Sequence, residues 1–178
     1  MQRTHSGDQT AQLTKLGSGS METPAFGPHA GLLEAFPNRH PERPYVVCLS
    51  FPEFTSLCPV TGQPDFGTIV VEYIPDERCV ESKSFKLYMF AFRGHQSFME
   101  TITNTVLNDM VSTLDPLWCR VKGLFAPRGG TRIHVFAEHF KTAERLGTRP
   151  GQPDNTALRE MVAEWKREAQ PHAPVGLG

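Results

Sequence analysis

Phe85-Lys86-Leu87-Tyr88-Met89-Phe90-Ala91-Phe92 is the stretch where the pattern of the chain changes period. Phe85, Tyr88, Met89 and Phe92 fall at i, i+3, i+4 and i+7, the spacing of one buried helix face. Gly94 is the expected stop. A second helix follows. Ser97, with Glu100 three residues later, has capping-box spacing. Phe98, Ile102, Val106, Met110 and Leu114 make its buried stripe, which Asp115-Pro116 closes.

On both sides of this helix pair the chain reads as strand. Before it, Tyr45–Ser50 and Thr68–Ile74 are rich in β-branched and aromatic residues. After it, Cys119, Val121 and Gly123 alternate with Arg120 and Lys122, the pattern of a half-exposed strand. Pro127 to Gly130 makes a turn, and Thr131–Ala137 a fourth strand. The order strand, strand, helix, helix, strand, strand predicts an α+β fold, a four-stranded antiparallel sheet with two helices on one face. Four strands cannot close a barrel, and bare edges invite pairing, so self-assembly is expected. A terminal helix over Asn155–Glu168 carries Leu158, Met161, Val162 and Trp165 on one face.

The chain has 178 residues, a net charge of −1 and 39% hydrophobic content. That predicts one domain over 26–169, between a disordered arm (1–25) rich in Gln, Thr, Ser and Gly and a flexible tail (170–178). The charge gives no bulk electrostatic case for direct nucleic-acid binding. No apolar run approaches a membrane span, and the N-terminus lacks the apolar core of a signal peptide. Cys48, Cys58, Cys79 and Cys119 form no CxxC pair. Reduced thiols and a cytoplasmic location are expected. His134, Glu138 and His139 have H-x-x-x-E-H spacing, which fits no zinc-protease motif, and no metal is expected.

The chemistry concentrates in Glu53-Phe54-Thr55-Ser56-Leu57-Cys58-Pro59-Val60-Thr61-Gly62-Gln63-Pro64-Asp65. Its two prolines and glycine read as a loop. Cys58 is a candidate nucleophile, and Asp65, seven positions on, a candidate acid for whatever the sulfur attacks. Such an acid calls for burial or a neighbouring negative charge.

Phe54–Pro59 with Thr61–Phe66 resembles the active-site loop of the NADPH-dependent 7-cyano-7-deazaguanine reductases, the nitrile reductases of queuosine tRNA modification. Glu81-Ser82-Lys83-Ser84-Phe85-Lys86-Leu87-Tyr88 is similar to that family's signature, and Pro127-Arg128-Gly129-Gly130 to its late loop. The resemblance implies the tunnelling fold, with subunits joined into homo-oligomeric rings and active sites between them. It also implies reduction of 7-cyano-7-deazaguanine to the 7-aminomethyl compound with two NADPH. Cys58 would add to the nitrile carbon as a thioimide, and Asp65 would protonate the nitrogen. Val80, Glu81, Ser82, Met99 and Glu100 match substrate-contacting positions, Glu100 as the anchor of the base edge, although a capping box would also explain it. The resemblance ties the signature block to NADPH binding as a whole, with Lys83, Lys86 and Arg128 as candidate cations for its phosphates. Two positions depart from the pattern. Met99 stands where the family usually has His, so adduct formation is expected to survive with slow turnover. Ile102 stands where some members carry a cysteine that can lock the nucleophile. Two other readings use the same residues: an amidine-forming relative without NADPH, and a non-catalytic deazapurine-binding module.

Overall fold

The computed structural model describes residues 27–168, so the expected arm and tail lie outside the described residues. In chain order the elements are β1 (Ala35–Pro37), β2 (Val47–Leu57), β3 (Pro64–Ile74), β4 (Arg78–Val80), α1 (Ser82–Phe90), α2 (Met99–Leu114), β5 (Trp118–Phe125), β6 (His134–Phe140) and α3 (Asn155–Glu168). The α+β expectation holds. Four strands form an antiparallel sheet in the order β2-β3-β5-β6, and β1 pairs with β4 in a small second sheet that the hydrophobic pattern did not predict.

The first hairpin is longer than expected. Residues 54–57 and 64–65, read as loop, belong to the ladder, with Ser56 opposite Asp65 and Leu57 opposite Pro64. Only 58–63 connect the strands. The register shifts between Phe51 and Phe54. Pro52 lies in that irregularity, where a missing N–H costs no ladder bond. Of the two prolines that suggested a loop, Pro59 lies in the connection and Pro64 is the first residue of β3.

Period-two alternation sends Phe54, Ile69, Val71, Tyr73, Val121 and Phe125 to one face, where they form the main core with Phe85, Tyr88 and Met89 of α1 and Ile102, Val106, Met110 and Leu114 of α2. Each such burial is worth roughly 1.5–3 kcal/mol relative to exposure. Gly123 shows how closely α2 lies on β5. A Cβ there would come 2.4 Å from Thr103 Oγ1. At the other end of the sheet Ile74, Leu117 and Trp118 pack with Leu158 and Val162 of α3. There the buried Lys141 ammonium lies 2.5 Å from Asp76 and 2.9 Å from Asp115.

Both helix starts differ from expectation. Phe98 is the N-cap of α2, makes no capping hydrogen bond through its side chain, and is 58% exposed rather than buried. The helix begins at Met99, so Ser97 and Glu100 form no capping box. Side-chain capping occurs instead at α1, where Glu81 accepts from the Lys83 and Ser84 backbone N–H groups at 2.8 and 2.7 Å. Helix α1 ends at Phe90, short of Gly94. Phe92 lies in the following turn, its ring 5.4 Å from that of Phe54.

Candidate active site

Cys58 is the first residue after β2, and Asp65 the second residue of β3. The hairpin folds them together because a tight connection closes the strand ends: Cys58 N donates to Gln63 O at 2.8 Å, and Gly62 N to Cys58 O at 2.9 Å. Gly62 has φ 68°, a conformation that favours glycine. Both functional side chains are buried, Cys58 at 5% and Asp65 at 5% exposure.

Arg128 reaches this pair from the β5–β6 connection. Its Nη1 lies 2.8 Å from Asp65 Oδ1 and its Nη2 3.5 Å from Cys58 Sγ. Asp65 is thus buried as expected, but its neighbour is a cation rather than a negative charge. The Cys58 thiol is pulled down to about 6, first by the Thr61 hydroxyl, then by the Thr61 and Val60 backbone N–H groups and by Arg128. Each of these donors favours the thiolate, the form a nucleophile requires.

The start of α2 is tied to the same place. Leu57 N donates to His95 O at 3.0 Å, and Ser97 N to Leu57 O at 3.1 Å. That parallel bridge sets Phe98, Met99 and Glu100 beside the Cys58 turn. Glu100 is exposed, and its carboxylate has no hydrogen-bond or ion-pair partner among the described residues. Met99 is 8% exposed and packs within the main core.

Val80, Glu81 and Ser82 do not join them. Val80 N donates to the Tyr73 hydroxyl at 3.1 Å, so this block lies at the Tyr73 end of β3. Tyr73 is eight strand residues from Asp65, roughly 26 Å at about 3.3 Å per residue. Val80 is buried in the core, and Glu81 spends both carboxylate oxygens on the α1 cap. Within one chain, the expected substrate positions therefore fall into two groups at opposite ends of the sheet.

A family model described as QueF-like protein matches residues 64–144. The NADPH-dependent 7-cyano-7-deazaguanine reductase of Nitratidesulfovibrio vulgaris (strain DP4) is 68% identical over 169 residues, covering 95% of this chain and 98% of that protein. The chain belongs to this reductase family. The Desulfovibrio desulfuricans protein of the same name is 66% identical over 173 residues, covering 96% and 99% of the two chains. That of Bacillus subtilis (strain 168) is 53% identical over 110 residues, 62% and 67% of the chains. A crystal structure of the archaeosine synthase QueF-Like in the apo form superposes with a TM-score of 0.50 at 25% identity, covering 52% of this chain and 91% of that one.

Against that family background, two cations remain to be placed. Lys83 and Lys86 lie three residues apart on α1, both exposed and with no ion-pair partner among the described residues. Their spacing puts them on one helix face. Arg128, expected to share the phosphate-binding role with them, donates to Asp65 and Cys58.

Sequence reasoning missed two residues here. Phe98 was assigned to the core, yet it presents an exposed aromatic ring next to Glu100. Ser56, directly across from Asp65, is fully buried, and its hydroxyl has no partner. A buried hydroxyl without a partner costs free energy, and Ser56 lies opposite Asp65 in the ladder. No sequence pattern distinguishes it from any other strand serine. Among the described residues no group of three or more His, Cys, Asp or Glu could hold a metal ion. Glu138 is engaged elsewhere, with Trp118 Nε1 at 2.6 Å and with Lys166.

Proposed function

We propose that this protein reduces 7-cyano-7-deazaguanine to 7-aminomethyl-7-deazaguanine with NADPH, by way of a thioimide on Cys58. The observation that carries this reading is the buried Cys58 thiol and Asp65 carboxyl, brought to one Arg128 guanidinium, in a chain 68% identical to a named reductase over nearly its full length. A nitrile carbon resists direct reduction, and addition of a thiolate converts it into an imine-like centre. Asp65 delivers the proton to the nitrogen. NADPH, when bound, supplies hydride. Lys83 and Lys86 would hold its phosphates, since both present free ammonium groups on one face of α1. Glu100 accepts the paired N–H groups of the base edge, and Phe98 offers its ring as a flat neighbour for the heterocycle. The amidine-forming reading is weaker, because the archaeosine synthase neighbour shares only 25% identity.

The reading includes ring assembly. One chain holds Cys58, Asp65 and Glu100 at one end of the sheet and Val80–Ser82 at the other, so a complete site takes Glu81 and Ser82 from a neighbouring copy. Edge strands β2 and β6 are available for sheet-to-sheet joining. Mixing is the test. Cys58→Ala and Glu81→Gln proteins, each inactive alone, are unfolded and refolded together, and NADPH oxidation is followed at 340 nm. Shared sites predict recovery of about a quarter of wild-type activity, the fraction in which each copy supplies the residue the other lacks. Sites confined to one chain predict none.

Met99→His gives a second test. Met99 is buried in the main core, so an imidazole there is expected to lower the melting midpoint by several degrees. Turnover is expected to rise about tenfold, since histidine can supply the proton that a thioether cannot. Adduct formation without NADPH should not change. Unaltered turnover would mean that the family histidine's work has passed to another group.

A further inference from the structure

We infer that Arg128 is a shared counter-ion that holds Cys58 as thiolate and Asp65 as carboxylate together before substrate arrives, so that addition to the nitrile must draw one proton from solvent. The inference rests on the reductase reading for its second half. Its first half stands on geometry alone.

A guanidinium only donates, and it does not give up a proton in a protein. One Arg128 plane serves two acceptors that come from different segments: Asp65 Oδ1 on β3 at 2.8 Å and Cys58 Sγ after β2 at 3.5 Å. Both acceptor atoms therefore present lone pairs to N–H groups of one cation. The other groups set around Cys58 are also donors, the Thr61 hydroxyl and the Thr61 and Val60 backbone N–H groups. From the α1–α2 connection the His95 carbonyl and the Ser97 N–H approach, and both are bonded to the Leu57 backbone. No other charged side chain pairs with Asp65 or Arg128 among the described residues.

The proton count follows. In the addition, a bond forms between Sγ and the nitrile carbon, and one π bond of the C≡N group breaks. Its electron pair moves onto nitrogen, which takes up a proton. A thiolate, a carboxylate and a guanidinium have no proton to give, so Asp65 has to acquire one from water and relay it. Arg128 occupies only Oδ1, and Asp65 Oδ2 has no partner among the described residues, so that oxygen can take the proton with Arg128 in place. The Arg128 side chain is 43% exposed, which leaves the pair within reach of solvent. Arg128 is thus a positioning residue for both partners.

Two measurements on the full-length protein test this. The first needs no substrate. Iodoacetamide alkylation of Cys58, followed by peptide mass, is measured from acid to alkaline pH. Arg128→Gln is expected to move the half-reaction point upward, by about threefold or more in proton concentration. Thr61 and the backbone N–H groups keep part of the effect, and Arg128→Lys should restore some of the shift. An unmoved half-point in a folded Arg128→Gln protein would overturn the counter-ion. The second measurement mixes wild-type protein with nitrile in dilute buffer containing phenol red, without NADPH, and counts adducts by intact mass. About one proton consumed per adduct is expected near neutral pH. Adducts formed with no proton consumed would overturn the inference, because the pair would then already hold the proton. A shifted alkylation half-point with no adduct at all would keep the counter-ion and sink the reductase reading instead.

Discussion

Cys58→Ala is expected to abolish the covalent adduct and all NADPH oxidation while leaving noncovalent substrate binding measurable. No other sulfur can take over. Cys119 is fully buried with its thiol pushed up to about 12, Cys79 is buried, and the Cys48 thiol is raised by partial desolvation and then by the Glu72 carboxylate. Intact-mass spectrometry of protein mixed with nitrile should show a gain of one whole substrate in the wild type and none in the variant. The pH profile has a fixed sign. The thiol lies at about 6 in the folded protein, below its ordinary value, so the reactive thiolate is present above that pH and is lost as pH falls through it. The adduct rate should therefore be level near pH 7–8 and fall about tenfold per unit below about 6. An adduct that persists in Cys58→Ala would remove the mechanism altogether.

Glu100→Ala is expected to weaken substrate binding by at least ~2 kcal/mol, a factor of about 30, because paired N–H groups of the base would lose a charged acceptor. Glu100→Gln should lose nearly as much, since an amide offers one acceptor oxygen and turns its own N–H groups toward donors. The structure makes this test cleaner than the sequence suggested, because Glu100 caps nothing. It does lie in the first turn of α2, where a carboxylate gains ~0.3–1 kcal/mol from the helix dipole. A small drop in melting midpoint is expected in both variants. Binding that stays intact while only stability falls would confine Glu100 to the helix start. Isothermal titration beside a thermal melt separates the two outcomes.

Much of this molecule was legible in order along the chain. The periodic stripes at Phe85–Met89 and Ile102–Leu114 became the buried faces of α1 and α2, because side-chain spacing and burial are set by the same geometry. Strand alternation at Cys119–Gly123 survived for the same reason. Boundaries were less legible. Pro59 and Pro64 suggested a loop over 53–65, but only 58–63 connect the strands: Pro59 lies in that connection, Pro64 starts β3, and the ladder runs on to Leu57. Phe98 looked like the first residue of a core stripe and proved to be an exposed cap residue.

What the sequence determined by itself was the family and the chemical pair. Cys58 and Asp65 are seven residues apart on one hairpin, so local turn geometry was enough to bring them together, and the motifs around them could be matched residue by residue. Tertiary structure alone decided the rest. Arg128 reaches Asp65 and Cys58 across 63 and 70 residues of chain, a meeting that depends on the β3–β5 register and the course of the β5–β6 connection. Glu81 and Glu100 are both acidic residues near helix starts, and nothing in their sequence context tells which will cap and which will stay free. That was settled by where the backbone N–H groups came to lie: Glu81 found two of them, and Glu100 found none. The distance between Val80–Ser82 and Cys58 was likewise invisible in one dimension, because it is the length of β3 that holds them apart.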